Sequence, residues 1–179
     1  MCSSDLTALP YCVQYRETDF NFISRLMEQS GIYYYFKCVS GRHTMTLADS
    51  FSAHDAISGY ATVPYAPGDS NEMRESEVIF DWLMAGEIQS GTFAISAFDF
   101  EKPSASAAGS LLAKSSISRT HDQSTHELYD YPGWYTDRSA GEKLAQTRIE
   151  AFHAGYNRIH AGSNARGLFA GGLFTLSDH

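Results

Sequence analysis

The chain has 179 residues, a formal net charge of −8, and 43% hydrophobic against 19% charged residues. That acidic balance argues against nucleic acid and anionic membrane surfaces as partners, since both need clustered cations. No run approaches the roughly 18 apolar residues of a membrane-spanning helix, and a chain of this length can bury about 70% of its unfolded surface without a covalent staple.

The start, Met1 to Asp5, lacks the basic and then apolar pattern of a signal peptide. Cys2, Cys12 and Cys38 form an odd set without C-x-x-C spacing and read as free thiols in a reducing compartment. Aromatic residues make up 13% of the chain, a load that suits pleated sheets and interface cores. Glu17 to Ser30 reads as a helix, capped by Thr18 or Asp19, with Phe22, Ile23, Leu26 and Met27 as an apolar stripe and Gly31 as its left-handed stop. Ile32–Phe36, Cys38–Val39 and Thr44–Leu47 read as a β-hairpin turning at Gly41. Its first strand is apolar on both faces, which predicts cover on two sides, one of them from the preceding helix.

Ser50–Glu75 carries Gly59, Pro64, Pro67 and Gly68 and reads as irregular. Strands are expected at Val78–Met84 and Gly91–Phe100, the latter with Phe93 and Ile95 on one face, Ala94 on the other, and Lys102-Pro103 at its end. Ser104–Ser118, rich in Ser and Ala, reads as a connection. Glu127–Tyr131 reads as a strand stopped by Pro132-Gly133. Arg138–Ala154 reads as a helix capped by Asp137, burying Leu144, Ala145, Ile149 and Phe152 and closed by Gly155. Tyr156–His160 and Leu173–Leu176 are the final strands, flanking a glycine-rich stretch whose Asn and Gly suit positive-φ turns.

Catalytic patterns are scarce. His121 and His126, and His153 and His160, miss the H-E-x-x-H and zinc-ribbon spacings, so the histidines read as surface or hydrogen-bonded residues. Gly162-Ser163-Asn164-Ala165-Arg166-Gly167 is not a G-x-S-x-G elbow, and the tail lacks the ending of a phosphate loop. Glu75 and Glu77 are a same-face acid pair of a kind common in acidic chains. No catalytic, cofactor-binding or metal-binding residue is assigned, and no cofactor is expected. Charge is unevenly spread: acids dominate Ala66–Phe100, whereas Arg138, Lys143, Arg148, Arg158 and Arg166 give the later segment a basic excess, a pattern that can pair between copies.

Specific residues carry a family resemblance. Val13-Gln14-Tyr15-Arg16-Glu17-Thr18-Asp19-Phe20, Phe22–Glu28, Gly31–Phe36, His43-Thr44 and Leu47–Ser50 resemble the VgrG family of type VI secretion tip proteins. Phe98–Pro103, Tyr131-Pro132-Gly133 with Tyr135, Gly141-Glu142, Leu144-Ala145, Arg148, Glu150, Gly162-Ser163-Asn164, Gly167-Leu168, Gly172, Phe174–Leu176 and His179 continue it in family order. The resemblance implies an α+β, β-rich fold, part of a phage tail hub-like module of β-barrel-type sheets with two amphipathic helices. It divides the chain into an unmatched start at 1–11, a hub-like helix, hairpin and barrel strands at 12–103, a linker-like segment at 104–125, and a hub-like helix with closing strands at 126–179, ending before an OB-fold.

The implied function is structural. The family forms homotrimers that dock on the Hcp tube hexamer and carry spike, effectors or adaptors. It assembles in the bacterial cytoplasm and is then secreted or translocated into a target cell. Catalysis, nucleic acid and a small-molecule substrate are not expected. The alternatives are a cell-wall hydrolase, which would show an acid pair with a raised pKa, and a carbohydrate-binding module, which would expose coplanar Tyr or Trp side chains.

Overall fold

A computed structural model describes residues 9, 11–68, 76–100, 102 and 111–178. Residues 1–8 and 10 of the expected start, 69–75 of the acidic stretch, Pro103, 104–110 of the linker-like segment and His179 lie outside the described residues. The elements in chain order are α1 (Asp19–Gln29), β1 (Tyr33–Val39), β2 (Arg42–Ala48), β3 (Asp55–Ala56), β4 (Thr62–Pro64), β5 (Ile79–Gly86), β6 (Thr92–Ile95), β7 (Ala113–Ser116), β8 (Glu127–Asp130), α2 (Arg138–His153), β9 (Asn157–Ser163), β10 (Gly172–Leu173) and β11 (Thr175–Ser177). This is a β-rich α+β architecture. The described residues fall into two units, one within 1–28, 32–85 and 158–179 and the other within 29–31 and 86–157.

In the first unit Thr18 is the cap of α1: its hydroxyl accepts from Asn21 N at 3.2 Å, satisfying a donor the helix leaves unpaired. Arg25 grips Glu17 through Nε and Nη2, the latter at 2.8 Å, and also donates from Nη2 to the Val13 carbonyl at 2.9 Å. This fork holds the 13–17 backbone, which bends at Arg16 with φ +51°, against the helix and keeps the Glu17 carboxyl below its ordinary range. Gly31 has φ +72° and Gly41 φ +74°, the left-handed geometry expected of each. The hairpin register runs from Tyr33↔Ala48 to Val39↔Arg42.

The expectation of cover on both faces of β1 fails. Tyr35 is buried, but Tyr33, Phe36 and Val39 are exposed. Among the described residues the sheet has two strands, and the Phe20 edge of α1 meets Tyr34 at a ring-centroid distance of 5.8 Å. Of the predicted α1 stripe, Met27 is buried and Ile23 is exposed.

The stretch after the hairpin is less irregular than its composition implies. It supplies β3 and β4, which pair in parallel with β10 and β11. Beside them β5 adjoins β9, and Val63, Val78 and Ile79 are almost wholly buried. The glycines of the 162–172 segment agree with the turn reading only in part. Gly171 has φ +91°. Gly162 and Gly167 instead make room: a Cβ there would overlap the Phe80 and Tyr60 rings respectively.

Ser163 and Asn164 lash the end of β9 to its neighbour. Val78 N donates to Asn164 Oδ1 at 2.7 Å, Asn164 Nδ2 donates to the Ser76 carbonyl at 3.0 Å, and Ser163 Oγ donates to the Val78 carbonyl at 2.8 Å. Next to them the Tyr60 hydroxyl donates to Glu77, which also accepts from Arg166 N at 3.3 Å.

Two expected results follow from that corner. Gly167→Ala should push Tyr60 off Glu77 and cost about 1–3 kcal/mol, read as a lower urea midpoint. The Tyr60 hydrogen bond, followed by the Arg166 amide, lowers the Glu77 pKa below 4.5. A group depressed in the fold contributes stability above its unfolded value and loses it as pH falls through the folded one. Glu77→Gln should therefore lose less stability than the parent on acidification below pH 4.5, measured as urea midpoints along a pH series.

In the second unit β6 is central, antiparallel to β7 and parallel to β8. It is shorter than the Gly91–Phe100 strand expected, and Ala94 is as buried as Phe93 and Ile95, so both its faces are covered. β7 arises inside the Ser/Ala stretch read as a connection; its Ala113 is buried against the core, and its small side chains leave no apolar period to detect. The Asp137 carboxylate accepts from Ala140 N at 2.9 Å and starts α2 as expected.

The buried face of α2 is Gly141, Ala145, Ile149 and His153. Phe152, assigned to that face from sequence, is exposed, and Leu144 is only partly buried. Burying Ile149 fully contributes about 1.5–3 kcal/mol. The helix is capped by Ala154 in right-handed conformation and not by a left-handed Gly155.

Tyr135 completes this core. Its ring occupies the space that a Cβ on Gly133 or Gly141 would fill. Its hydroxyl lies between the Ile95 carbonyl, at 2.8 Å, and the Leu111 carbonyl, and burial pushes its pKa up.

Candidate protein-interaction surface

Several groups with catalytic potential are tied into the fold, whereas both ring nitrogens of His121 are buried without a hydrogen-bond partner. His153 accepts from Arg119 Nε at Nδ1, 3.1 Å away, and its Nε2 lies 3.0 Å from the Ser90 carbonyl, so both ring nitrogens are engaged. Tyr156 stacks on His121 and His153, at 5.7 and 5.9 Å, with the Arg119 guanidinium 4.3 Å above it. His54 contacts the Tyr33 hydroxyl at 2.7 Å and the Gly171 carbonyl at 2.8 Å. Among the described residues no three or more His, Cys, Asp or Glu are arranged to hold a metal ion.

A cavity of about 270 Å³ in the first unit is lined by Lys37, Asp55, Ile57, Tyr60 and Phe169 among others. Its one carboxylate, Asp55, lies 3.9 Å from Lys37, which leaves no second acid for a glycosidase pair. Glu17, Glu77 and Asp137 are each held below the ordinary carboxylate range by hydrogen bonds, chiefly from Arg25, Tyr60 and Ser139 respectively. A general acid needs the opposite shift. Glu75, the partner proposed for Glu77, lies outside the described residues.

What the fold does present is apolar surface. In the second unit the chain continues past β6 through Phe98 and Phe100 and past β8 through Tyr131 to Trp134. Three bonds hold the two segments side by side: Ser96 N to the Asp130 carbonyl (3.3 Å), Gly133 N to the Ser96 carbonyl (2.8 Å), and Ser96 Oγ with Tyr129 Oη (2.6 Å). Phe98, Phe100, Tyr129, Tyr131 and Trp134 are all exposed, Trp134 at 84%. Five aromatic side chains from two adjoining segments are far beyond the scattered apolar residues of an ordinary surface.

In the first unit, the face of the hairpin bearing Phe36, Met45 and Leu47 is likewise exposed, as are Phe20 and Ile23 of α1. Sequence reading assigned no site residue and attributed the aromatic load to core and subunit contact; it did not single out these side chains. The available signal was the pair Phe98 and Phe100 ahead of Pro103 and the aromatics Tyr129, Tyr131 and Trp134 around Pro132, since proline cannot extend a strand pairing that would bury them.

Comparison with known proteins gives a consistent picture. The profile of the phage tail baseplate hub (GPD) family matches residues 2–179. The chain is 47% identical over 169 residues to the type VI secretion system spike protein VgrG1b of Pseudomonas aeruginosa, covering 94% of the chain and 22% of that protein. It is 46% identical to VgrG1a of the same organism, covering 94% and 26%. To the spike protein VgrG3 of Vibrio cholerae it is 28% identical, covering 94% and 16%. The chain thus spans about a quarter or less of the length of these curated relatives.

Proposed function

Because the chain belongs to the phage tail baseplate hub family, we propose that it is a structural hub element of a type VI secretion tip and works by burying its exposed aromatic surfaces against other subunits. The observation that carries this reading is the aromatic end of the second unit, Phe98, Phe100, Tyr129, Tyr131 and Trp134, all exposed. Aromatic residues are what the cores of protein interfaces concentrate. Association is with further copies of the hub chain, as a homotrimer in the full-length protein, and with the Hcp tube hexamer. Spike and effectors or adaptors are carried by the assembled tip.

Assembly takes place in the bacterial cytoplasm, with export into the target cell afterwards. The region itself catalyses nothing. Its domain plan is a hub-like body at 12–103 and 126–179 joined through 104–125.

The test is light scattering of the chain alone and with the Hcp hexamer. A mass increase on mixing, or a trimer mass alone, is expected. A strict monomer that ignores the hexamer and cleaves peptidoglycan would overturn the proposal. One observation favours a second reading: Tyr129, Tyr131 and Trp134 are exposed, as a carbohydrate-binding module requires. Quenching of Trp134 fluorescence by cell-wall glycan fragments, without any response to the tube protein, would select that reading.

A further inference from the structure

The turn end of the β1–β2 hairpin brings two soft donors together on the face that also bears the exposed Phe36, Met45 and Leu47. Cys38 and His43 are direct cross-strand partners, and Cys38 Sγ lies 3.1 Å from His43 Nδ1. Both side chains are exposed. Strand alternation puts Met45, two residues along β2 and opposite Phe36, on the same face. A thiol, an imidazole nitrogen and a thioether therefore share one face of a hairpin whose turn geometry is fixed by Gly41.

We propose that Cys38 and His43, with Met45 as the third donor, form a binding site for a soft monovalent d10 cation, Cu(I). Thiolate and thioether ligands select Cu(I) over hard cations. A structural zinc site closes with four ligands from Cys, His or carboxylates, whereas Cu(I) is satisfied by two or three donors. No group of three or more His, Cys, Asp or Glu able to hold a metal is found among the described residues.

Metal–sulfur and metal–nitrogen bonds of about 2.3 and 2.0 Å require the donors to stand about 3.7 Å apart at the trigonal angle of a three-donor site and about 4.3 Å apart in a linear one. The observed 3.1 Å reaches the first value with a small rotation of exposed side chains. On binding, the Cys38 S–H bond breaks, a sulfur–copper bond forms and the proton passes to solvent. No electron is transferred, since copper enters already reduced.

The experiment uses the 179-residue chain with Cys2→Ser and Cys12→Ser, so that Cys38 is the sole thiol. Titrated without oxygen into the Cu(I)–bicinchoninate complex, it is expected to withdraw one equivalent of copper. Cys38→Ser and His43→Asn should each weaken that uptake at least tenfold, roughly the loss seen even for outer-shell partners of metal ligands, and Met45→Leu should weaken it less. Undiminished uptake by either of the first two variants overturns the site. X-ray absorption of the copper-loaded parent supplies a readout free of variant folding: a mixed nitrogen and sulfur shell supports the site, and an all-sulfur shell overturns it.

Discussion

Tyr135→Ala is expected to destabilise the second unit by about 3–5 kcal/mol, measured as a fall in urea midpoint. The side chain is one of six buried residues of that core, with Phe93, Ile95, Ala113, Ala145 and Ile149. Two glycines, Gly133 and Gly141, leave the hollow that its ring fills, so truncation leaves a cavity that the backbone cannot readily close. Tyr135→Phe isolates the polar part: it keeps the ring but leaves the Ile95 and Leu111 carbonyls without their shared donor, at a cost of about 1–3 kcal/mol. If the phenylalanine variant matches the alanine variant, the hydroxyl and not the packing dominates, and the cavity argument is wrong.

The second large effect concerns association. A Tyr131→Ala, Trp134→Ala double variant is expected to weaken binding to the partner subunit by more than about 2 kcal/mol, around thirtyfold in Kd, as buried aromatic anchors do. The same variant should leave the urea midpoint of the isolated chain within about 0.5 kcal/mol of the parent, because both side chains are exposed. Sedimentation of the variant with the tube hexamer measures the first quantity and urea titration the second. Equal losses in both would mean that these side chains support the fold rather than a contact.

Legibility followed locality. The two helices, their Thr18 and Asp137 caps, the hairpin and its Gly41 turn are written within a few residues of where they act, and sequence reading placed them to within a few residues. β3 and β4 are two or three residues long, too short for alternation to register, and their partners lie more than a hundred positions away; the strand expected at Leu173–Leu176 is divided between those partners, β10 and β11. β7 went unseen because Ala and Ser carry little apolar contrast.

β1 was misjudged for a different reason: a strand apolar on both faces looks the same whether its cover comes from its own chain or from another. His153 displaced Phe152 from the buried face of α2 because Arg119 and Ser90 satisfy its nitrogens, and those partners lie far away in sequence. The family motifs were visible as residues while their work was not. Tyr131-Pro132-Gly133 with Tyr135 and Gly141 is the seat of one tyrosine ring, and Gly162-Ser163-Asn164 is a tie between β9 and the Ser76–Val78 backbone.

The division of the chain also sets an order of events during synthesis. The second unit is nearly contiguous, within 86–157, so all of its strands and α2 leave the ribosome before the last segment of the first unit does. The first unit cannot close until β10 and β11 arrive to pair with β3 and β4. Its early half, exposed hairpin included, must therefore wait with unpaired strand edges while an entire neighbouring core is completed, and it is the part of the nascent chain most dependent on chaperones.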